Sequence, residues 1–402
     1  MDFCARIRRF EVETMIITNF EMLKERIADT DEIDPRTVLP DVWASTKWEK
    51  LAKKETEDIL FPFLEFQFKR SQSTMPEIYS AYIERKIKLH KFADLELVPA
   101  LVKDTANQGI GFRAKIQQNP YLLLPRDLKK SISVYKSGGT RGIATPTFIS
   151  DWDEAVETTT LQKCFSYMNI KAQAKVMNTY NPTHKGGLWI TKAMQRNGAT
   201  VISRRMNETA REIIQTIKHY GITVLATVQG PLTEGDATKK GGGVDFLSLV
   251  EEGQDILEEK IETLFITGYS LIPEVISWAE MNKKNLATVL GSSEAIPQAS
   301  STLKGKLCRY NNMHLINGPH YIEILKQESG QLVPVKRGEN GILAYTTIAR
   351  EGTIYIRYAP GDSAKLVAKG GECDCGIKTP IISDIRRMDI PEDTLAAGCC
   401  IG

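Results

Sequence analysis

From about residue 150 the chain alternates between two hydrophobic periods. Apolar residues at helical spacing over 153–167 precede an apolar run at 174–177. The same pairing recurs at 188–196 with 199–202, at 208–219 with 223–227, at 256–264 with 264–268 and at 271–282 with 287–290. Helix-length and strand-length segments in alternation predict parallel strands joined by single helices. The fold class this implies is an α/β layer fold. Past residue 318 the rhythm shortens to strand-like runs at 321–324, 341–347 and 353–358, which read as a small β subdomain. The first 95 residues read as helices, with a mildly amphipathic stretch at 16–27, an apolar run at 59–64 and helical spacing over 75–95. Gly109, Gly111, Pro120 and Pro125 make 108–128 loop-rich. The expected division is therefore a helical region over 1–125, an α/β core over 126–318 and a β subdomain with its tail over 319–402.

Composition narrows the class of protein. The 402 residues suffice for one large or two ordinary domains. Hydrophobic and charged fractions of 42% and 25% are those of a soluble globular chain. A net charge of +2 provides no basic field that would argue for nucleic acid. No apolar run is long enough to span a bilayer. The first residues, Met1 to Arg6, lack the apolar centre of a signal peptide, so a cytoplasmic location is expected.

Three short stretches carry chemistry. The first is 134–146, Val134 to Pro146, with two apolar runs around three glycines. Glycine allows positive φ and close approach to a ligand. Successive N–H groups of Ser137, Gly138, Gly139, Thr140 and Gly142 can then form an anion-binding concavity. Lys136 and Arg141 add positive charge. No Walker pattern is present, and the loop reads as the tip of a β-hairpin or, more simply, as a surface turn. A capping-box spacing, Asp151 with Glu154, follows it. The second stretch, Gly291-Ser292-Ser293-Glu294, follows the run at 287–290. A carboxylate at the carboxyl end of a parallel strand can hold Mg²⁺ against phosphates, or the residues can simply cap a helix. The third is Asp362, after a Pro-Gly turn, which can accept both hydroxyls of a ribose or serve as an ordinary turn residue.

Seven cysteines, an odd number, argue against a full disulfide framework. Cys308, His314, Cys373 and Cys375 offer three thiolates and an imidazole, the donor set of a tetrahedral zinc site. His320 is an alternative ligand, and buried free thiols are the alternative reading. Cys399 and Cys400, between glycines near the end, read as a frayed tail or as thiolate nucleophiles. His184, beside Lys185-Gly186-Gly187, can touch a substrate or serve the structure.

Taken in order, the three stretches resemble those of the adenylate-forming ligases, in particular the phenylacetate–CoA ligase branch. Residues 136–146 are similar to that family's phosphate loop, and 290–294 to its adenine and magnesium motif. Residues 338–343, 346–347, 350–352 and 356–358 are similar to its run into a ribose-binding Asp362. Residues 178–187 and 198–202 are similar to its substrate-side strand and helix. The resemblance covers about 60–390. It implies ATP-dependent activation of a carboxylic acid to an acyl-adenylate, then acyl transfer to a thiol or an amine. The implied cofactors are ATP and AMP, Mg²⁺, a structural Zn²⁺ and CoA. Glu294, Arg141 and Lys136 are the implied catalytic groups, with nucleotide contacts from 137–142, Gly291, Ser292, Ser293, Asp362 and Arg386.

There are departures. Arg141 stands where the family has a small residue, and Leu290 where an aromatic often stacks on adenine. Family members continue into a lid that supplies a lysine. Here Arg386 resembles the entry to its hinge, and the sequence ends at Gly402. The expectation is that a partner chain supplies that lysine, or that Lys136 or Arg141 replaces it. Bioluminescence acyl-protein synthetases, which also lack a full lid, use a cysteine near the C-terminus as acyl carrier; this is the implied role of Cys399 or Cys400. A non-catalytic or assembly subunit of an acyl-activating complex is the alternative.

Overall fold

The computed structural model describes residues 16–103, 112–136, 145–230, 244–268, 270–302, 304–328 and 331–387. The alternating half of the sequence forms the expected parallel layer. Its strands are β4 (Lys175–Asn178), β5 (Thr200–Ser203), β6 (Val224–Thr227), β7 (Thr263–Thr267) and β8 (Asn285–Leu290), in spatial order β5-β4-β6-β7-β8. These follow β1 (Leu101–Val102) and the separate hairpin β2 (Ile132–Lys136) and β3 (Pro146–Ser150).

The near-continuous apolar runs have a direct cause. Successive strand side chains face opposite sides, and each side of this layer has its own core. Val176, Val224, Phe265 and Val289 pack on one side, with Leu161, Phe165, Trp189 and Ile190. Met177, Leu225, Leu264 and Leu286 pack on the other, with Ile213, Ile217, Phe246 and Val275. With helices on both faces, most positions on the central strands are apolar, and polar ones such as Asn178, Thr227 and Thr288 are buried as well.

The strands beyond residue 290 extend that same sheet. They are β9 (Ala299–Ser300), β10 (Met313–Leu315), β11 (His320–Glu328), β12 (Gln331–Pro334), β13 (Asn340–Thr347), β14 (Tyr358–Ala359), β15 (Asp362–Ala368) and β16 (Ile381–Arg387). Antiparallel pairs run from β8 through β9, β10, β16, β15 and β13 to β14, and β1 closes that end in parallel with β14. A run expected as a strand at 353–357 is irregular instead. Its backbone bonds to side chains and neighbouring loops, as in Tyr355 N–H to Thr347 Oγ1 at 3.0 Å and Thr353 N–H to Phe148 O at 2.9 Å.

The helices are α1 (Phe20–Asp29), α2 (Pro40–Ser45), α3 (Lys53–Thr74), α4 (Ser80–Glu84), α5 (Phe112–Gln118), α6 (Asp151–Tyr167), α7 (Lys185–Arg196), α8 (Ala210–Tyr220), α9 (Phe246–Lys260) and α10 (Pro273–Met281). The helical spacing over 75–95 yields only α4 and a 3₁₀ turn. Tertiary bonds explain the interruption: the Tyr79 hydroxyl donates to Ile354 O at 2.6 Å and that of Tyr82 to Pro99 O at 2.7 Å. Similarly, α5 replaces part of the loop expected at 108–128. The cap of α6 lies one residue earlier than the sequence spacing suggests, with Ser150 and Asp153 as the reciprocal pair. Asp153 also accepts from Glu351 N–H at 2.6 Å and Gly352 N–H at 2.9 Å, so it must be buried. Among the described residues no helix is long and apolar enough to cross a membrane.

Candidate active site

The loops at the carboxyl ends of β4 and β8 meet. After β4, Asn178 donates to Gly187 O at 2.9 Å and Thr191 Oγ1 at 2.8 Å, tying the strand end to the start of α7. A side chain on Gly187 would place its Cβ 2.3 Å from Asn181 O, so only glycine permits this turn. His184 caps α7: its Nδ1 accepts from Gly186 N–H at 3.2 Å. Its Nε2 lies 3.4 Å from Ser293 Oγ in the loop after β8. The packed protein around the ring, and then Lys185, lower the His184 pKa, although the residue keeps an open face to solvent.

Lys185 is wholly buried. It pairs with Glu157 of α6 at 2.8 Å and donates to Ser293 O at 3.0 Å. Glu157 also receives Arg350 at 2.7 Å and the Trp189 indole N–H at 2.7 Å. Burial raises the Glu157 pKa, but Lys185 and Arg350 outweigh it and hold the carboxylate ionised. Arg350 donates onward to Glu294 O at 3.0 Å. Two cations thus fix consecutive carbonyls of the 291–294 loop.

Glu294 itself is 2% exposed. Its Oε1 receives the Lys103 ammonium at 2.7 Å, with the Tyr358 hydroxyl 3.4 Å away. Burial alone would raise its pKa; the Lys103 charge and hydrogen bond reverse the direction. Asp362, at the start of β15, is 7% exposed and bonded to Arg387 at 3.0 Å. Burial raises its pKa against the pull of Arg387, and both Glu294 and Lys103 lie within electrostatic reach of it. Arg387 is the arginine bonded to Asp362, opposite it in the pairing of β15 with β16, and Arg386, expected at the hinge entry, is an exposed neighbour.

Lys136 ends β2 as an exposed residue, in a hairpin pairing that fits a strand-to-strand loop. Ser137, Gly138, Gly139, Thr140, Arg141 and Gly142 lie outside the described residues, as do Cys399 and Cys400. Sequence reasoning missed Lys103, Lys185 and Glu157. Lys103 stands 191 positions from Glu294, and no local motif marks it.

A second constellation lies on the antiparallel part of the sheet. The ligand atoms of Cys308, His314, Cys373 and Cys375 all lie within 4.8 Å of one another. Cys373 Sγ is 3.3 Å from Cys308 Sγ, and Cys375 Sγ is 3.2 Å from His314 Nε2. His314 Nδ1 donates to Thr379 O at 2.9 Å, which leaves Nε2 as the free ring nitrogen. Gly305 is needed here, since a Cβ would lie 2.6 Å from two of the sulfurs. Burial lowers the His314 pKa and raises that of Cys375 to about 12. These donors fit a tetrahedral metal. His320 is not among them; it faces Glu157 at 3.7 Å, and burial pushes its pKa down to about 3.

This architecture, a large mixed sheet with helices, matches the N-terminal domain of adenylate-forming ligases. One solved structure similar to it is 2-hydroxyisobutyryl-CoA ligase in an open conformation, in complex with 2-HIB-AMP and CoA. The match covers 90% of this chain and 79% of that one, at a TM-score of 0.67 and 15% identity. The same ligase with these ligands in its thioesterification state matches over 90% and 72%, at a TM-score of 0.69 and 16% identity. These likenesses concern the fold. No family model matches the sequence, and no curated protein matches it.

Replacing Glu157 with leucine leaves Lys185 and Arg350 buried without their anion. The expected cost is about 3–5 kcal/mol of folding stability. Urea unfolding of Glu157→Leu beside the wild type measures it.

Proposed function

We propose that this protein activates a carboxylic acid with ATP, forming an acyl-adenylate and pyrophosphate, and passes the acyl group to a thiol or an amine. The observation that carries this reading is the convergence of Glu294, Lys103 and Asp362 at one end of a sheet of this fold. The 2-hydroxyisobutyryl-CoA ligase structures, with an acyl-AMP and CoA bound, support it as fold-level analogy. The acceptor thiol belongs to CoA, to a carrier protein, or to Cys399 or Cys400.

In the activating step a carboxylate oxygen attacks the α-phosphorus. A new P–O bond forms, and the bond to the β-phosphate bridging oxygen breaks, releasing pyrophosphate. Such a step needs positioning and charge neutralisation. Asp362 accepts the ribose hydroxyls, and N–H groups of 137–142 receive the phosphates with Lys136 and Arg141. Arg141 suits this task because a guanidinium can bridge two phosphate oxygens. Gly291, Ser292 and Ser293 border the base, and His184 borders the acid. Glu294 would hold Mg²⁺, which neutralises phosphate charge when bound.

Pyrophosphate exchange across panels of aryl, fatty and hydroxy acids tests the activity; at least one acid is expected to support it. Arg141→Ala is expected to lower the exchange by at least about a hundredfold. Asp362→Ala is expected to weaken ATP binding by about 2 kcal/mol in calorimetry. Exchange with no acid at all in the panels, despite ATP binding, would remove catalysis from the reading.

Cys308, His314, Cys373 and Cys375 are proposed to hold a structural zinc. Elemental analysis is expected to find about one zinc per chain. Cys373→Ser should lower metal content and melting temperature together, because binding energy at such a site is folding energy. A metal-free protein with an unchanged melting curve refutes the zinc.

A further inference from the structure

Lys103 is placed by backbone as well as side chain. It follows β1, and its N–H donates to Ala359 O at 3.0 Å. That bond continues the parallel pairing of β1 with β14. Its ammonium is carried into the interior, where only 6% of the side chain is exposed, and meets Glu294 Oε1 at 2.7 Å. The Glu294 side chain is 3% exposed. A buried carboxylate and a buried ammonium at that distance neutralise each other, and either one alone would be strongly destabilising. The carboxylate proposed to hold a divalent cation therefore already has a cation in the free protein.

We propose that Lys103 is the resident counter-ion of Glu294 and is exchanged for the divalent cation when the nucleotide binds. The inference rests on the nucleotide-binding reading above and adds a residue and a regulation to it. The charges balance only if the phosphates arrive with the metal. A divalent cation at Glu294 displaces the ammonium, and a displaced ammonium in the interior needs a new anion. The nucleotide phosphates are that anion. Free divalent cation without nucleotide would leave Lys103 unpaired, so it binds weakly. The pair makes metal and nucleotide binding interdependent, and Lys103 is a positioning residue in this sense.

The test uses the full chain, ATP without any acid, and Mg²⁺ titrated at pH 8. Calorimetry gives ATP binding as a function of Mg²⁺, and Mn²⁺ electron paramagnetic resonance gives metal bound with and without ATP. Wild type should bind Mn²⁺ at least tenfold more weakly without ATP than with it. Lys103→Met frees the carboxylate, so metal binding without ATP should tighten at least tenfold and its dependence on ATP should shrink. Lys103→Arg keeps the charge and should behave as wild type. Since Lys103→Met leaves Glu294 unpaired, its melting temperature should fall, and Lys103→Met with Glu294→Gln should recover part of the loss. Unchanged metal binding in a folded Lys103→Met protein overturns the exchange. So does wild-type metal binding that is indifferent to ATP. A wild type that binds no ATP in any condition removes the nucleotide reading itself, a different result from either.

Discussion

A single buried carboxylate holds this molecule's working end together. Glu157 projects from α6 and gathers Lys185 from α7, Arg350 from the segment after β13, and the Trp189 indole. The two cations pass the constraint on, since each also bonds a carbonyl of the 291–294 loop. Removing one member of a buried ion cluster of this kind leaves uncompensated charge, even though Arg350 Nε and Nη1 have no hydrogen-bond partner among the described residues. The loop after β8 is therefore fixed by elements far apart in sequence. α3 adds a further brace: Gln67 and Arg70 bond the carbonyls of Ile348, Arg350 and Glu351. The helical N-terminal region is in this way part of the site's foundation.

The parallel layer was legible in the sequence because its signal is local. Each apolar run of β4, β6, β7 and β8 follows a helix-length segment, and the two cores account for both sides of each strand. The antiparallel part was legible only in pieces. β14 has two residues and β9 has two, too short for any periodicity to show. The break after α4 was hidden for another reason: Tyr79 and Tyr82 read as helix-face residues, yet they are held by carbonyls 275 and 17 positions away. A helical spacing describes a preference, and tertiary hydrogen bonds can override it. At the site, residue types with a motif around them, such as Glu294 and Asp362, could be named from sequence. Lys103, Lys185 and Glu157 could not, because their meaning lies in pairings across the fold.

The continuity of the sheet links the two constellations. β8, which leads into the Glu294 loop, pairs with β9, and β9 pairs with β10, which carries His314. β10 pairs in turn with β16, whose far end carries Arg387 opposite Asp362. The Cys373–Cys375 turn joins β15 to β16. Asp362 and the cysteine turn thus terminate the same two strands at opposite ends. The pairing of β15 with β16, which shifts register twice along its length, places Arg387 opposite Asp362 at the end away from the cysteines.

His184 has a consequence that follows from its cap. Its Nδ1 is engaged as an acceptor from Gly186 N–H, and its lowered pKa leaves the ring neutral at physiological pH. A neutral imidazole has one proton, so here it sits on Nε2. Nε2 then donates to Ser293 Oγ, and the hydroxyl can only accept from it. The Ser293 proton is thereby turned away from the ring. A helix cap at one strand end thus gives a hydroxyl at another strand end its polarity toward the ring, as an acceptor.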